Sequence, residues 1–181
     1  MNLTLIRHTS VNVAPGICYG HSDVDVSATF EAEAELVFAK LKHRHFDRVF
    51  SSPLIRCRKL AEYCGYTDPL IDDRLMEMNF GDWELQNWEE ITDPQLQRWF
   101  ADWSEELPTR GESFSEMIRR VESFLNELRE MNSGGIAIFT HAGVIRCVQV
   151  ILGKLTAPES FDTKLNFGEI VEFKISIDAR C

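Results

Sequence analysis

Short apolar runs alternate along the chain with longer stretches in which apolar residues recur at helical spacing. Leu3–Ile6 and Gly135–Thr140 are compact apolar runs, and each predicts a strand buried in a sheet. Asp47–Phe50 and Pro69–Ile71 predict two further short strands. Near the end of the chain, apolar and polar residues alternate from Ile170 to Ile177, which is typical of an edge strand with one solvated face.

The first two helices are predicted on either side of the second strand. From Ser27 onward, apolar residues recur every three or four positions, as they do on an amphipathic helix. A second helix is predicted over Pro53–Cys64. Ser52 suits its cap, Pro53 suits its first position and Gly65 suits its end.

Two more helices are predicted in the second half of the chain. Ser113 and Glu116 form a capping-box pair, and apolar residues at 4-3-4-3 spacing follow over Met117–Met131. Another helix is predicted to open near Ala142. Between these parts, residues 75–108 predict short helices in an insertion that contains all four tryptophans: Trp83, Trp88, Trp99 and Trp103.

The alternation of strands and helices predicts the fold class. It indicates a three-layer α/β/α fold with a mainly parallel sheet. We find no internal repeat and no Gly/Ser-rich linker, so residues 1–181 are expected to form a single domain.

The charge of the chain limits its partners. Its formal net charge is −10 and its sequence pI is about 5.0. Such a chain lacks the positive field that attracts nucleic acid, whereas a few arginines in a cleft can still bind a small phosphorylated ligand. The N-terminal residues show no signal-peptide layout and no membrane-spanning length, and the five cysteines are scattered. We therefore expect a cytoplasmic protein with reduced thiols and no membrane partner.

Candidate chemistry lies at the strand ends. Arg7-His8, Ser51-Ser52 and Thr140-His141 each follow a predicted strand. Ligands of parallel sheets bind at the carboxyl ends of the strands, so these three pairs are expected to meet at one edge. Arg56 lies in the first turn of the second helix and is expected at the same edge.

These side chains fit phosphoryl transfer. Arg7 and Arg56, together with the amides of a helix N-terminus, suit a dianionic phosphate. A neutral imidazole, such as His8 or His141, is a competent nucleophile when its other ring nitrogen is held as a donor. The leaving alkoxide needs a proton, but the pattern does not indicate which of the 29 acidic residues supplies it.

Less specific explanations exist for each residue taken alone. A strand-end Arg-His pair is often solvated, Arg56 could lie on a helix surface, and His141 could cap its helix. A metal site built from His8, His21 and His141 is the weaker alternative, because no carboxylate or cysteine stands at ligand spacing. No cofactor and no metal are expected.

Five segments resemble signatures of the histidine phosphatase, or phosphoglycerate mutase-like, superfamily. They occur in family order and cover most of the chain. Each segment alone is weakly specific, but the set is highly specific. The segments are Leu5–Thr9, Ser51–Cys57, Glu77–Glu84, Gly111–Ser113 and Thr140–Gly143.

The resemblance implies catalytic roles at five positions. His8 would be the phosphorylated nucleophile, and Glu77 would protonate the leaving group and then activate water. Arg7, Arg56 and His141 would hold the phosphoryl oxygens. The remaining candidates are substrate-binding residues: Asn12, Tyr19, Gly20, His21, Asp23, Glu112, Ser113 and Ala142.

Several positions depart from the family pattern. Thr9 replaces a glycine, Ser10 a frequent glutamate and Leu85 a glycine. The loop after His8 is one residue short, so Asn12 is only a candidate for the family's phosphate-contacting asparagine.

The resemblance also bears on the substrate. The segments around Arg7–Val11 and Gly16–Val24 are most similar to the α-ribazole-5'-phosphate phosphatase subfamily. The segment Glu77–Gly81 differs from that of true mutases, which favours hydrolysis. A phosphatase for a sugar phosphate, a nucleotide or broad substrates is the alternative, and a non-catalytic phosphate-binding module is a third.

Overall fold

A five-stranded sheet forms the centre of the molecule, in the order β3-β2-β4-β1-β5. The computed structural model describes residues 1–131 and 133–175. Strands β1 to β4 run parallel, and β5 pairs antiparallel with β1. The strands are β1 (Asn2–Arg7), β2 (Arg48–Ser51), β3 (Leu70–Ile71), β4 (Gly135–Thr140) and β5 (Ile170–Lys174).

Helices cover both faces of this sheet. Leu3 and Leu5 belong to one buried cluster with residues of α4 and α5, whereas Ile6 belongs to a second cluster with residues of α1 and α2. Alternate strand residues therefore point into opposite layers. The predicted three-layer α/β fold is confirmed. The helices are α1 (Phe30–Leu41), α2 (Ile55–Tyr63), α3 (Gln95–Ala101), α4 (Phe114–Glu130), α5 (Ala142–Ile151) and α6 (Ala157–Asp162).

Two helix starts differ from the sequence prediction. Helix α1 begins at Phe30 rather than near Ser27, since the hydroxyls of Ser27 and Thr29 bond each other at 2.7 Å in the preceding turn. Helix α2 begins at Ile55 rather than Pro53. Leu54 is still extended there, with φ −66° and ψ 134°.

In the second half of the chain, the predicted starts and ends of the elements agree better with the structure. The Ser113–Glu116 capping box is present at the start of α4, and β4 has the predicted bounds. Strand β5 alternates as expected, with Glu172 exposed and Phe173 buried. Of the predicted strand end, Ser176 and Ile177 lie outside the described residues, as does Cys181.

The tryptophan-rich segment contains short helices, as expected. A 3-10 helix spans Gly81–Trp83, and α3 follows. Trp83 is buried and its Nε1 donates to Asp93 at 2.8 Å. Trp103 instead packs on Phe161 of α6, with ring centroids 3.9 Å apart. The segment thus contributes both to its own aromatic cluster and to the neighbourhood of α6.

Candidate active site

Two histidines meet at the carboxyl ends of neighbouring strands. In the parallel pair β1 and β4, Arg7 lies opposite Thr140. His8 and His141 each follow by one residue, and their ring centroids are 5.1 Å apart. Both side chains are almost fully buried, so the pair forms part of the protein interior rather than a solvated edge.

The local hydrogen bonds of His8 fix its protonation. Its Nδ1 lies 2.7 Å from the backbone oxygen of Thr9. A carbonyl oxygen can only accept, so Nδ1 carries the proton and Nε2 keeps its lone pair. Burial lowers the pKa of His8 well below its ordinary value, and Arg56 and Arg7 lower it further. His8 is therefore neutral at neutral pH and has a free nitrogen available for attack.

Two arginines stand beside this nitrogen with spare donors. Arg7 donates from Nη1 to the backbone oxygen of Leu165 at 2.5 Å, and its guanidinium lies 4.1 Å from the ring centroid of Phe167. Arg56 donates to the backbone oxygens of Gly20 at 2.7 Å and Ser22 at 3.0 Å. The Nε atoms of both arginines are buried and have no hydrogen-bond partner among the described residues. Buried donors of this kind are rare in proteins, and two cationic ones suit an anion that would satisfy them.

His141 is held by side chains from the second strand end. Its Nε2 lies 2.8 Å from the hydroxyl of Ser52, and the Cys57 sulfur is 3.5 Å from the same nitrogen. Burial lowers the pKa of His141 well below its usual value, and the charge of Arg56 lowers it further. The imidazole is neutral as long as no anion is present to favour its protonation.

Glu77 reaches the site from the segment after β3. Its Oε1 accepts from the backbone N–H of Met78 at 3.0 Å and of Gly143 at 3.1 Å. Gly143 is the second residue of α5, so the carboxylate lies at the N-terminus of that helix. A Cβ atom on Gly143 would lie 2.1 Å from this oxygen, which explains why only glycine fits there.

Gly143→Ala is expected to lower kcat at least about 100-fold, because a shift of about 1 Å in a reacting group can have that effect. The methyl group would displace the Glu77 carboxylate, whereas its effect on stability should stay near 1–3 kcal/mol. Steady-state kinetics and urea denaturation measure the two effects. Gly135→Ala is the matched control, since a Cβ there has ordinary contacts of 3.5 Å or more. Wild-type kcat in Gly143→Ala would contradict the assignment of Glu77.

A cleft of about 210 Å³ opens onto Arg7, His8 and Glu77, whereas Arg56 and His141 are fully buried behind its lining. Its polar lining comes from Arg7, His8, Tyr19, Glu77, Gly143 and Arg146. Its apolar lining comes from Met78, Phe80, Phe114, Met117 and Phe161. Sequence reasoning missed Arg146 and this apolar wall. Arg146 could have been found, because it follows Gly143 by three residues and so shares its helix face.

The predicted substrate-binding residues fall into two groups. Tyr19 lines the cleft. Gly20 and Ala142 adjoin the catalytic residues without lining it, since the Gly20 carbonyl accepts from Arg56 and Ala142 follows His141 as the first residue of α5. The others do not line the cleft. Asn12 is exposed, and the His21 ring lies 3.8 Å from the Glu112 carboxylate. Asp23 accepts from the Ile55 N–H at 2.7 Å. Glu112 pairs with Arg120 at 2.7 Å, and Ser113 caps α4. A role in substrate binding stays a prediction for all eight.

The departures from the family pattern have local explanations. The backbone N–H of Ser10 donates to Glu33 of α1 at 2.8 Å, so Glu33 supplies a carboxylate next to the position where relatives often have one. Leu85 has a φ of 65°, the left-handed region that a glycine adopts without strain.

The alternative metal site is not supported, since no group of three or more His, Cys, Asp or Glu residues suited to a metal occurs among residues 1–131 and 133–175.

The buried histidines are expected to make stability depend on pH. In the unfolded chain His8 and His141 take up protons near pH 6.5, whereas in the folded chain their pKa values lie well below that. The unfolded state then binds more protons, so the free energy of unfolding should fall below pH 6.5, by about 1.4 kcal/mol per pH unit for each histidine. Urea denaturation between about pH 7 and pH 5 measures this slope. His8→Gln should make the slope shallower, and an unchanged slope would contradict the burial of a neutral His8.

Comparison with known proteins decides the family. The sequence profile of the Histidine phosphatase superfamily (branch 1) matches residues 3–178. The chain belongs to this superfamily. The resemblance inferred from the five sequence segments is thereby confirmed, and so is the expectation that the chain is a phosphatase.

Individual relatives of this histidine phosphatase differ in what they act on. An adenosylcobalamin/alpha-ribazole phosphatase of Salmonella typhimurium is 35% identical over 154 residues, which cover 80% of this chain and 76% of that protein. A 2,3-bisphosphoglycerate-dependent phosphoglycerate mutase of Cytophaga hutchinsonii is 30% identical, over 97% of this chain and 89% of that protein. The crystal structure of the alpha-ribazole phosphatase of Shigella flexneri matches with a TM-score of 0.85 at 26% identity, covering 97% of this chain and 91% of that chain.

One further property concerns membranes. Among the helices of the part of the chain that the structure describes, none combines the length and the hydrophobicity that crossing a bilayer requires.

Proposed function

We propose that this enzyme hydrolyses phosphate monoesters through a phosphohistidine on His8, and that α-ribazole 5'-phosphate is its substrate. The observation that carries the proposal is the free Nε2 of a neutral His8 beside two arginines whose buried Nε donors have no partner. A nucleophile next to unsatisfied cationic donors is the arrangement that phosphoryl transfer requires.

In the first step, His8 Nε2 attacks phosphorus while the bond from phosphorus to the ester oxygen breaks. Arg7, Arg56 and His141 stabilise the charge on the phosphoryl oxygens, and Glu77 gives its proton to the leaving alkoxide. In the second step, Glu77 takes a proton from water as the water attacks the phosphohistidine. The bond from phosphorus to nitrogen then breaks, inorganic phosphate leaves, and His8 regains its lone pair.

Similarity supports the choice of substrate. Relatives named as alpha-ribazole phosphatases share 35% identity with the chain in sequence and a TM-score of 0.85 with it in structure. The cleft also has an apolar wall that can pack against the ring system of a ribazole. A sugar phosphate, a nucleotide or a broad set of substrates are the alternative outcomes of the test.

The test is phosphate release from α-ribazole 5'-phosphate, ribose 5-phosphate, a nucleoside monophosphate and p-nitrophenyl phosphate, each measured with and without EDTA. We expect the highest kcat/KM with the ribazole ester and no loss in EDTA. Equal, low activity on all four esters would reject α-ribazole 5'-phosphate as the specific substrate but would remain consistent with hydrolysis through a phosphohistidine. Silence on all four would favour the non-catalytic phosphate-binding alternative, and loss of activity in EDTA would contradict the mechanism.

We also propose a cytoplasmic location. Cys18, Cys57, Cys64 and Cys147 are buried free thiols. Reduced thiols are typical of proteins in the cytoplasm, where disulfides are rare. Expression of the full chain followed by cell fractionation and activity assay of each fraction tests this location.

A further inference from the structure

The apolar wall of the cleft includes a residue that the mechanism does not use. Phe161 lines the cleft from α6, the helix that follows α5. It packs against Trp103 and Phe114, with ring centroids 3.9 Å and 5.1 Å away. Its side chain is 39% exposed, so part of the ring remains free to contact a ligand.

Arg146 fixes the position of this ring. From α5, its Nε donates to the backbone oxygen of Ser160 at 2.9 Å, and its guanidinium carbon lies 5.1 Å from the centroid of Phe161. Its Nη2 lies 3.4 Å from the backbone oxygen of Thr163, just after α6. The cation therefore ties the end of α6 to the helix whose N-terminus carries the Glu77 contact.

The chemistry of the wall indicates what it contacts. Phe80, Phe114 and Phe161 are aromatic, and Met78 and Met117 are flexible and polarisable. Such a surface favours a planar, uncharged ring over a sugar or a second anionic group. Arg7 and His8, which would hold the phosphoryl group, line the polar side of the same cleft, so the ring would belong to the leaving alcohol.

We propose that Phe161 determines specificity by packing against an aromatic ring in the leaving alcohol, and that Arg146 is a positioning residue acting through Phe161. This inference rests on the proposed function and extends it to residues that set the substrate class. It predicts that replacing Phe161 lowers kcat/KM for esters whose leaving alcohol carries an aromatic ring. For esters without such a ring, kcat/KM should not depend on Phe161.

Two esters with the same leaving atom isolate this effect. α-Ribazole 5'-phosphate and ribose 5-phosphate both lose a ribose 5'-oxygen, but only the first carries an aromatic base. The measured quantity is the ratio of their kcat/KM values, in which differences in bond reactivity cancel. In Phe161→Ala the ratio is expected to fall about tenfold through KM, the change produced by about 1.4 kcal/mol of lost ring contact.

A double-mutant cycle tests the role of Arg146. Arg146→Met should also lower the ratio, and the double variant Arg146→Met with Phe161→Ala should lower it no further than Phe161→Ala alone. A general effect on folding would change both esters together and leave the ratio as it was. Phe100→Ala is the matched control, because Phe100 is 62% exposed and packs on Trp88 and Trp99 outside the cleft.

The outcomes separate the inference from the function on which it rests. Phe161→Leu keeps the apolar volume without the ring and replaces the alanine variant if that variant does not fold. An active enzyme whose ratio is unchanged in the Phe161 variants would overturn the inference alone. A wild type that prefers ribose 5-phosphate would overturn the proposed substrate and the inference with it. Additive effects in the double variant would overturn the role of Arg146. A wild type inactive on both esters would overturn the proposed substrate, and this inference with it.

Discussion

His8→Ala is expected to lower kcat by at least about 10⁴-fold, because removing a nucleophile from a covalent mechanism leaves only binding and electrostatic stabilisation. The alanine has no nitrogen to attack phosphorus, and His141 is the histidine whose ring lies next to that of His8. Rapid quenching at neutral to alkaline pH followed by intact-mass measurement should detect one phosphoryl group on the wild type. The His8→Ala protein should carry none.

His43→Ala is the matched control for this experiment. His43 is exposed just beyond the end of α1, so its loss should leave both kcat and the phosphoryl adduct unchanged. A His8→Ala protein that turns over like the wild type would reject His8 as the nucleophile. An adduct that persists in His8→Ala would move the covalent step to another residue, with His141 the first to be mapped.

Glu77→Gln should show the second largest effect, with kcat/KM on α-ribazole 5'-phosphate falling about 10³-fold, within the range of general acid catalysis. The amide oxygen can still accept from Met78 and Gly143, so the local geometry should persist. The amide cannot give a proton to the alkoxide. p-Nitrophenolate leaves without a proton, so its first turnover should stay fast while release of phosphate from His8 slows.

Stopped-flow absorbance reports this difference as a burst of p-nitrophenolate followed by a slow steady state. Glu62→Gln is the control, since Glu62 is an exposed glutamate on α2. If Glu77→Gln slows the first turnover equally on both esters, Glu77 acts by positioning or electrostatics and not as the leaving-group acid.

The main features of the site could be predicted because they depend on local pattern. Apolar runs define β1 and β4, and a parallel sheet brings the residues that follow them to one edge. His8 and His141 therefore meet although 132 residues lie between them in the sequence. Glu77 could not be predicted from local pattern, since nothing distinguishes it among 29 acidic residues. Only the family resemblance pointed to it.

The features of the site and the fold that could not be predicted depend on contacts between different segments of the chain. Phe161 reaches the cleft because Arg146 bonds the backbone of α6, and no spacing in the sequence encodes that contact. Helix α6 itself had a signal, a capping box between Thr156 and Glu159, that the sequence analysis did not use. Helix α2 begins late partly because Asp23, from a distant loop, accepts from the Ile55 N–H.

The position of β1 between β4 and β5 has a consequence for how the enzyme is made. Strand β1 is synthesised well before β4 and β5, the two strands with which it pairs. The backbone oxygen of His8 accepts from the N–H of Gly168, and the N–H of Arg7 donates to Glu169. Contacts of such long sequence separation form late and slow the folding of a domain. During synthesis His8 leaves the ribosome before β4 and the segment around Gly168 exist, so its surroundings can assemble only after those segments have followed. Activity should therefore report on chains that have been completed and folded, whereas truncated products should be silent.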